Sequence, residues 1–255
     1  MLRRPALILT LLAIAAFGLG CASDAPARPV TVSLEFDDAN TQGPVRDLLA
    51  RHGFRATFFV NSGLIGRPGV FRWRDLSTLA ADGHEIAGHT RTHADLSKLS
   101  VADQRREICD DRRALAAHGL RPVNFAYPYG RYTAETKRIV RECGYASARR
   151  AAGLRAPDRS SVNRGRLTDP YAIPTLPAPV DTTLAEDVER EISAAQTHGG
   201  GWVQVFWHRI CPDDCNRYSW PAERLDDVLA WLRGQVDAGR VVVATVREAL
   251  RPAGR

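Results

Sequence analysis

The sequence predicts an α/β fold in which largely parallel strands curve into a barrel. Short apolar runs rich in β-branched and aromatic residues alternate with amphipathic segments along almost the whole chain. Strands separated by helices pair in parallel through right-handed crossovers. Six or more such units fit within 255 residues, which suits one closed or nearly closed barrel with a well-buried core.

Apolar periodicity and end signals locate the individual elements. Strands are predicted at residues 31–36, 56–60, 85–87, 124–126, 145–148, 171–173, 202–207 and 241–245. Helices are predicted at residues 41–52, 74–82, 100–117, 134–143, 183–197 and 221–237. Ser100 caps the third helix, Thr183 and Glu186 form a capping box on the fifth, and Gly83 ends the second. The stretch 150–179 is long, proline-rich and irregular.

The N-terminal residues predict export from the cell. Two arginines precede an apolar run that is short for a membrane span, and small residues then lead to Cys21. We therefore expect residues 1–20 to be an export signal, residues 21–30 a tether and residues 31–252 a single domain. Cys21 stands where a bacterial lipobox has its lipidated cysteine, which would attach the protein to a membrane. Plain secretion is the alternative, because Gly18 stands where lipoboxes usually have leucine.

The charge pattern argues against nucleic acid as a partner. Basic residues exceed acidic ones by six, but they are scattered along the chain, and only Lys98 and Lys137 are lysines. Scattered arginines are typical of a solvated surface, with weak attraction to an anionic cell envelope as the alternative. The chain carries no nucleic-acid-binding motif and no signal for an oligomeric state.

Four cysteines remain beside the one at the signal boundary. An even number in an exported chain favours disulfides, and we expect Cys109 to pair with Cys143 and Cys211 with Cys215. The alternative is a metal site made of two cysteines and His208, which an oxidising compartment disfavours.

Polar residues with catalytic potential follow separate predicted strands. They are the aspartate pair 37–38, the histidines His89 and His93, the turn 127–130, and His208. In a parallel barrel such positions share the C-terminal rim, where active sites lie. Two histidines four residues apart reach one point, and with one carboxylate they suit Zn²⁺ and leave a position open for water.

These motifs resemble those of the NodB-type polysaccharide deacetylases, carbohydrate esterase family 4. Residues 36–38 resemble the family's Thr-Phe-Asp-Asp-Gly motif, residues 89–93 its His-Ser/Thr-x-x-His motif, and residues 125–130 its Arg-x-Pro-x-Gly region. His208 resembles the histidine of the late Leu-x-His motif. The likeness runs in motif order from about residue 31 to 250. It implies a distorted (β/α) barrel with about seven parallel strands.

The resemblance also implies a metal centre. Carried over residue by residue, it makes Asp38, His89 and His93 the ligands of a divalent metal, for which Zn²⁺ is our preferred identity. The implied partner of the site is an acetylated polysaccharide, since members of the family remove acetyl groups from chitin oligomers, peptidoglycan or acetylated xylan.

Three further residues receive catalytic roles from the resemblance. Asp37 becomes the base that takes a proton from the attacking water, and His208 the acid that protonates the leaving amine. The backbone N–H of Tyr129 becomes the donor to the oxyanion. We expect removal of N-acetyl groups from N-acetylglucosamine-type sugars in a cell-envelope or extracellular polymer, with O-deacetylation as a further activity.

Several positions depart from the family's pattern. Glu35 stands where the family usually has threonine, and its surroundings, either the barrel interior or an ion-pair partner, are left open. Ala126 occupies the place of the arginine that in the family holds the base carboxylate. We expect Arg164 or Arg166 to take over that duty. The family's fourth motif has no clear counterpart.

Residues near the motifs are candidates for binding the sugar. They are Tyr127, Pro128, Trp207 and Arg166. Aromatic side chains stack on sugar rings, although packing in the core is the alternative for each of them.

Two other functions compete with the deacetylase. The first is a surface carbohydrate-binding protein that keeps the fold but has lost turnover, which Ala126 would explain. The second is an iron oxygenase with two histidines and one carboxylate. Asp37 and His208 favour the deacetylase, because a pure binder needs neither of them and the oxygenase gives them no role.

Overall fold

The structure is a computed structural model that describes residues 28–38, 40, 43–154, 162–163, 167–212 and 215–251. The predicted export signal at 1–20, Cys21, most of the tether, Arg164 and Arg166 lie outside the described residues. Within the described ranges, no helix is both long enough and apolar enough to cross a bilayer.

Seven parallel strands form a half-barrel, which confirms the predicted fold class. The strands of the described chain are β1 Val30–Phe36, β2 Thr57–Val60, β3 Glu85–Gly88, β4 Asn124–Ala126, β5 Ser147–Gly153, β6 Ile173–Thr175, β7 Gly201–Trp207, β8 Arg209–Cys211, β9 Ser219–Pro221 and β10 Val241–Val243. Around the wall the order is β7, β1, β2, β3, β4, β5, β6, and every pairing is parallel. The short β10 pairs with the first three residues of β1, and β8 pairs with β9 apart from the wall.

Helices cover the outside of the wall. They are α1 Val45–His52, α2 Trp73–Ala81, α3 Val101–Ala117, α4 Ala134–Glu142, α5 Ala185–Thr197, α6 Ala222–Asp237 and α7 Val246–Ala249. The first six correspond to predicted helices, and Ser100 caps α3 as expected, accepting a hydrogen bond from Asp103 N–H. The predicted capping box on α5 is wrong by one residue. The N–H of Leu184 donates to the Asp187 carboxylate at 3.0 Å.

Alternation along β1 separates an apolar core from a polar barrel interior. Val32, Leu34 and Phe36 are buried in the main hydrophobic cluster together with apolar residues of α1, α5 and α6. The intervening Ser33 and Glu35 are also fully buried but on the opposite face, because side chains alternate along a strand. The barrel interior is therefore partly polar, and a site at its rim can be held by charged residues from below.

Both predicted disulfides are confirmed. Cys109 of α3 is bonded to Cys143, which directly follows α4, with their Cα atoms 5.0 Å apart. Cys211 at the end of β8 is bonded to Cys215, with a Cα separation of 5.6 Å. The first disulfide ties two neighbouring helices together, and the second closes a short loop before β9.

Candidate active site

The polar residues predicted at the rim gather around one cavity. Asp37 follows β1, His89 follows β3, the turn Pro128–Gly130 follows β4, and His208 follows β7. Side chains from all four positions line a cavity of about 770 Å³. Residues far apart in sequence meet here because the C-terminal ends of parallel strands share one rim.

Asp38, His89 and His93 form a cluster suited to a metal ion. The Oδ1 atom of Asp38 lies 3.4 Å from His89 Nε2 and 3.2 Å from His93 Nε2. One donor atom from each residue lies within 4.8 Å of the others. Asp38 Oδ1 is buried and makes no hydrogen bond of ordinary geometry with any described residue. A buried carboxylate oxygen facing two imidazole nitrogens fits a divalent cation such as Zn²⁺.

Hydrogen bonds behind the cluster fix the orientation of its histidines. His89 Nδ1 lies 2.7 Å from the carbonyl oxygen of Ala126, which can only accept, so Nδ1 carries the proton and Nε2 is free to act as a ligand. The side-chain amide of Asn61 donates to the carbonyls of His89 and Thr90. The N–H of His93 donates to Thr90 Oγ1 at 3.0 Å.

Left-handed backbone is concentrated at this site. The non-glycine residues with positive φ in the described ranges are Asp38 (71°), Thr90 (70°), His93 (63°), Tyr129 (57°) and Ala152 (60°). Thr90 lies in the turn between the two histidines, and the other four line the cavity. Each such conformation costs about 1–3 kcal/mol, so the surrounding structure must impose it. Strain of this kind at one place is typical of a functional site.

Asp37 is held by an arginine that the sequence analysis did not identify. Nη2 of Arg149 donates to Asp37 Oδ1, and Nε of the same guanidinium donates to Glu35 Oε2 at 2.6 Å. Phe59 and Phe206 pack against the guanidinium, with ring centroids 4.5 and 4.4 Å away. Glu35 therefore faces the barrel interior and has an ion-pair partner there. Arg149 on β5 thus contacts the Asp37 carboxylate, whereas Arg164 and Arg166, expected in that place, lie outside the described residues.

Burial acts on the two acids Glu35 and Asp38 with different outcomes. Burial raises the pKa of Glu35 to about 8, against the opposing effect of the Arg149 cation. Burial also disfavours the charged form of Asp38, but the imidazoles around it, His89 first, outweigh this and lower its pKa to about 2. Asp38 therefore stays ionised, whereas Glu35 binds a proton far more readily than an exposed glutamate.

His208 and two exposed tyrosines complete the rim. The His208 ring lies 5.5 Å from the Phe206 ring and 6.4 Å from that of Tyr218. The Tyr129 ring packs edge-on against His93 at 4.6 Å. Tyr129 and Tyr218 are 60% and 62% exposed, so both present aromatic surface at the mouth of the cavity.

Two residues predicted to bind the sugar do not line the cavity. Trp207 is fully buried, with its ring 5.5 Å from that of Phe36 and 5.7 Å from that of Trp220. It belongs to the apolar face of β7, so the expectation that it stacks on a sugar is corrected. Pro128 is buried within its turn. Tyr127 does line the cavity, and its hydroxyl donates to the Tyr171 carbonyl at 2.9 Å.

Sequence reasoning missed Arg149 and Phe206, although a signal for Phe206 was present. A charged residue in a short apolar strand, as at Glu35, indicates a buried ion pair when the strand is enclosed on both faces, but it does not identify the partner. Strand alternation also requires Phe206 to point away from the face that carries Trp207. Reading β7 with that period would have placed Phe206 in the cavity.

Several known proteins with similar sequences are sugar deacetylases. Residues 24–148 match the family model described as polysaccharide deacetylase. A chitin deacetylase from Arthroderma benhamiae is 33% identical over 121 residues, which are 45% of this chain and 32% of that protein. A chitooligosaccharide deacetylase from a Bradyrhizobium species is 32% identical over 144 residues, 52% of this chain and 62% of that protein. The chain thus spans less than two thirds of the length of these relatives.

A solved structure with a similar fold extends the comparison to most of the chain. The family 4 carbohydrate esterase from Streptomyces lividans, in complex with acetate, superposes with a TM-score of 0.57. The superposition covers 86% of this chain and 93% of that one at 18% identity. At this identity the likeness concerns the fold alone.

Proposed function

We propose that the chain, whose residues 24–148 match the polysaccharide deacetylase family model, is a metal-dependent polysaccharide deacetylase of carbohydrate esterase family 4. The proposed substrate is an N-acetylglucosamine-type sugar in a cell-envelope or extracellular polymer, with O-acetyl groups as a second target. One observation carries the proposal. The Asp38, His89 and His93 cluster shares its cavity with a separate carboxylate, Asp37, and a separate imidazole, His208.

Asp38, His89 and His93 are the proposed holders of a divalent metal, with Zn²⁺ preferred for one carboxylate and two neutral imidazoles. When bound, such a metal supplies Lewis-acid activation of water and of the acetyl carbonyl. The hydrogen bond from His89 Nδ1 to the Ala126 carbonyl supports this assignment, because it keeps the Nε2 lone pair available.

The remaining residues handle protons and charge in the proposed reaction. Asp37 takes a proton from the water as its oxygen attacks the acetyl carbon. The N–H of Tyr129 donates to the oxygen on which negative charge develops. His208 gives a proton to the sugar nitrogen as the carbon–nitrogen bond breaks, so that acetate and a free amine are the products.

The shape of the rim supports a polymeric sugar as substrate. Tyr129 lies beside His93 and Tyr218 lies near His208, and both are largely exposed. Aromatic rings at the edge of a cavity offer apolar faces on which sugar rings stack. Two such rings favour a substrate that extends beyond the sugar being deacetylated.

An exported location accompanies this function. The disulfides Cys109–Cys143 and Cys211–Cys215 fit an oxidising compartment. We propose that residues 1–20 direct export and that residues 31–252 are the deacetylase domain. Lipidation of Cys21 would retain the protein at the membrane, and secretion is the alternative. No nucleic-acid partner is proposed.

Acetate release tests the proposal. The metal-loaded protein is incubated with N-acetylglucosamine oligomers, peptidoglycan and acetylxylan, and metal content is measured in parallel. We expect the wild type to release acetate and Asp37→Asn to lose about 10²–10⁴-fold of that activity while keeping its metal, because Asp37 transfers a proton and does not bind the ion. If the wild type binds metal but releases no acetate from any of these substrates, the carbohydrate-binding protein is favoured instead.

A further inference from the structure

We infer that Arg149 and Glu35 are a pair of positioning residues that hold the carboxylate of Asp37 in place for proton transfer. The inference rests on the proposed function, because it takes Asp37 to be the base. Glu35 is fully buried and does not line the cavity, so it acts from behind the site. Arg149 joins it to the rim.

The arginine spans the interior of the barrel. It starts from β5, and its hydrogen bonds to Glu35 and Asp37 join residues 114 and 112 positions apart in sequence. The side chain is 2% exposed, and the aromatic rings of Phe59 and Phe206 pack against the guanidinium. A buried guanidinium is costly unless its charge is paired and its N–H groups are hydrogen-bonded. Its two acidic partners, Asp37 and Glu35, therefore determine where it lies.

The two carboxylates share one edge of the guanidinium. Nε donates to Glu35 and Nη2 donates to Asp37. Because the guanidinium is planar and rigid, anchoring Nε on Glu35 fixes the direction in which Nη2 points. Lysine carries its charge at one point on a flexible chain and cannot transmit the same orientation. Glu35 thus contributes to the placement of Asp37 through Arg149.

An arginine placed at position 126, where the chain has Ala126, could reach the Asp37 carboxylate as Arg149 does. Ala126 is the Cα partner of Arg149 on the neighbouring parallel strand β4. Side chains of such partners leave the sheet at the same level and on the same face. An arginine moved from position 149 to position 126 would therefore start in the same layer of the barrel, one strand closer to β1.

The central experiment is a double-mutant cycle measured by steady-state kinetics. Arg149→Lys should lower kcat by about tenfold to a hundredfold, a loss typical of a reacting group displaced by about 1 Å, with KM within about twofold of wild type and metal content unchanged. Glu35→Gln should lower kcat less. The double variant should be no slower than Arg149→Lys, because Glu35 acts through the arginine. Arg150→Lys, the next position along β5, is the matched control and should retain wild-type kinetics.

Three results would overturn the inference. The first is a kcat of Arg149→Lys within twofold of wild type, and the second is a loss of metal that accounts for the loss of activity. The third is a double variant whose fold-loss of kcat equals the product of the losses in the two single variants. Circular dichroism establishes that each variant is folded. If Arg149→Lys does not fold, Glu35→Gln, which keeps the size of the side chain and an acceptor oxygen, decides the question through a lower kcat at unchanged KM.

A relocation variant separates this inference from the proposed function. Ala126→Arg combined with Arg149→Ala should recover turnover relative to Arg149→Ala alone, and a lack of recovery in the folded variant would contradict the shared-layer geometry. If the wild type itself releases no acetate, the proposed function fails. The pairing is then judged by thermal unfolding, in which the Tm losses of Glu35→Gln and Arg149→Lys must be non-additive.

Discussion

Asp37 and Asp38 are adjacent in the chain, yet their carboxylates have separate surroundings. Asp37 continues the strand ladder, since its N–H donates to the Trp207 carbonyl at 2.8 Å, and its carboxylate meets Arg149. The left-handed backbone at Asp38 accompanies a carboxylate turned toward His89. The contacts of the two neighbouring carboxylates therefore differ, with Arg149 against Asp37 and the paired histidines against Asp38.

His208 is the residue whose role depends most on the group that leaves. We expect His208→Ala to lower kcat about 10²–10⁴-fold on an N-acetyl substrate, with a smaller effect on KM, because an amine leaves only when protonated. The loss on an O-acetyl substrate should be smaller, since an alcohol is the better leaving group. Paired acetate-release assays on the two substrates measure the difference.

The exposed His198 at the C-terminal end of α5 provides the control for that substitution. His198→Ala should leave both activities unchanged. Equal losses on the N-acetyl and O-acetyl substrates in His208→Ala would mean that protonation of the leaving group is not the role of His208.

At the residue scale, the sequence predicted the site residues that lie within short motifs or directly after a strand. The pair 37–38 and the interval between His89 and His93 are visible as short motifs, and His208 follows a clear strand. Arg149 was missed because its contacts with Glu35 and Asp37 cross the barrel, and no local pattern encodes which arginine bridges 112 positions. A partner across the barrel becomes identifiable only when the strand register is known.

The two disulfides stabilise different elements, and their removal should have different consequences. Cys109–Cys143 closes a loop of 34 positions between α3 and α4, so its loss should cost about 3–4 kcal/mol of unfolding free energy. Cys211–Cys215 closes 4 positions and should cost about 2 kcal/mol. Urea unfolding of the two double serine variants compares them directly.

Kinetics of the same two variants provide an internal control. The Cys211–Cys215 loop leads to Asn216 and Tyr218 in the cavity wall, so its removal should raise KM more than removal of Cys109–Cys143 does. A larger stability loss for the short loop, or an equal change of KM in both variants, would contradict this division of roles.

Element ends were predicted less well than the elements themselves. The last strand was expected to reach residue 245, but it ends at Val243 because Thr245 caps α7, which begins at Val246. Thr245 and Glu248 form a capping box, in which the Glu248 carboxylate accepts from Thr245 N–H at 2.9 Å. The sequence contains this capping-box signal. The pairing of β8 with β9 could not be predicted from the sequence, because three-residue strands carry no usable periodicity.

For the whole molecule, metal binding should appear as a change in stability. An ion that binds only the folded state raises the free energy of unfolding, by about 2.7 kcal/mol at a hundredfold excess over Kd. We therefore expect a chelator to lower Tm and Zn²⁺ to restore it. Asp38→Ala removes one of the clustered donors, so its Tm should change with neither the chelator nor Zn²⁺. A wild-type Tm that is indifferent to chelator and Zn²⁺ would argue against a metal centre.

The parallel barrel and the convergence at the rim were predictable at this scale because they follow from alternation and handedness. What fills the barrel was not predictable, since it depends on which inward side chains meet. Glu35, Arg149 and Phe206 lie together there although they come from three strands.

The same filling closes the barrel side of the cavity within the described residues. The Arg149 guanidinium and the Phe206 ring packed against it line the cavity on that side, and Glu35 behind them is fully buried. In the proposed reaction, acetate therefore leaves on the side of the cavity away from Arg149, where the polymer also binds. Acetate must therefore leave past the bound polymer, or after the polymer has moved along the site.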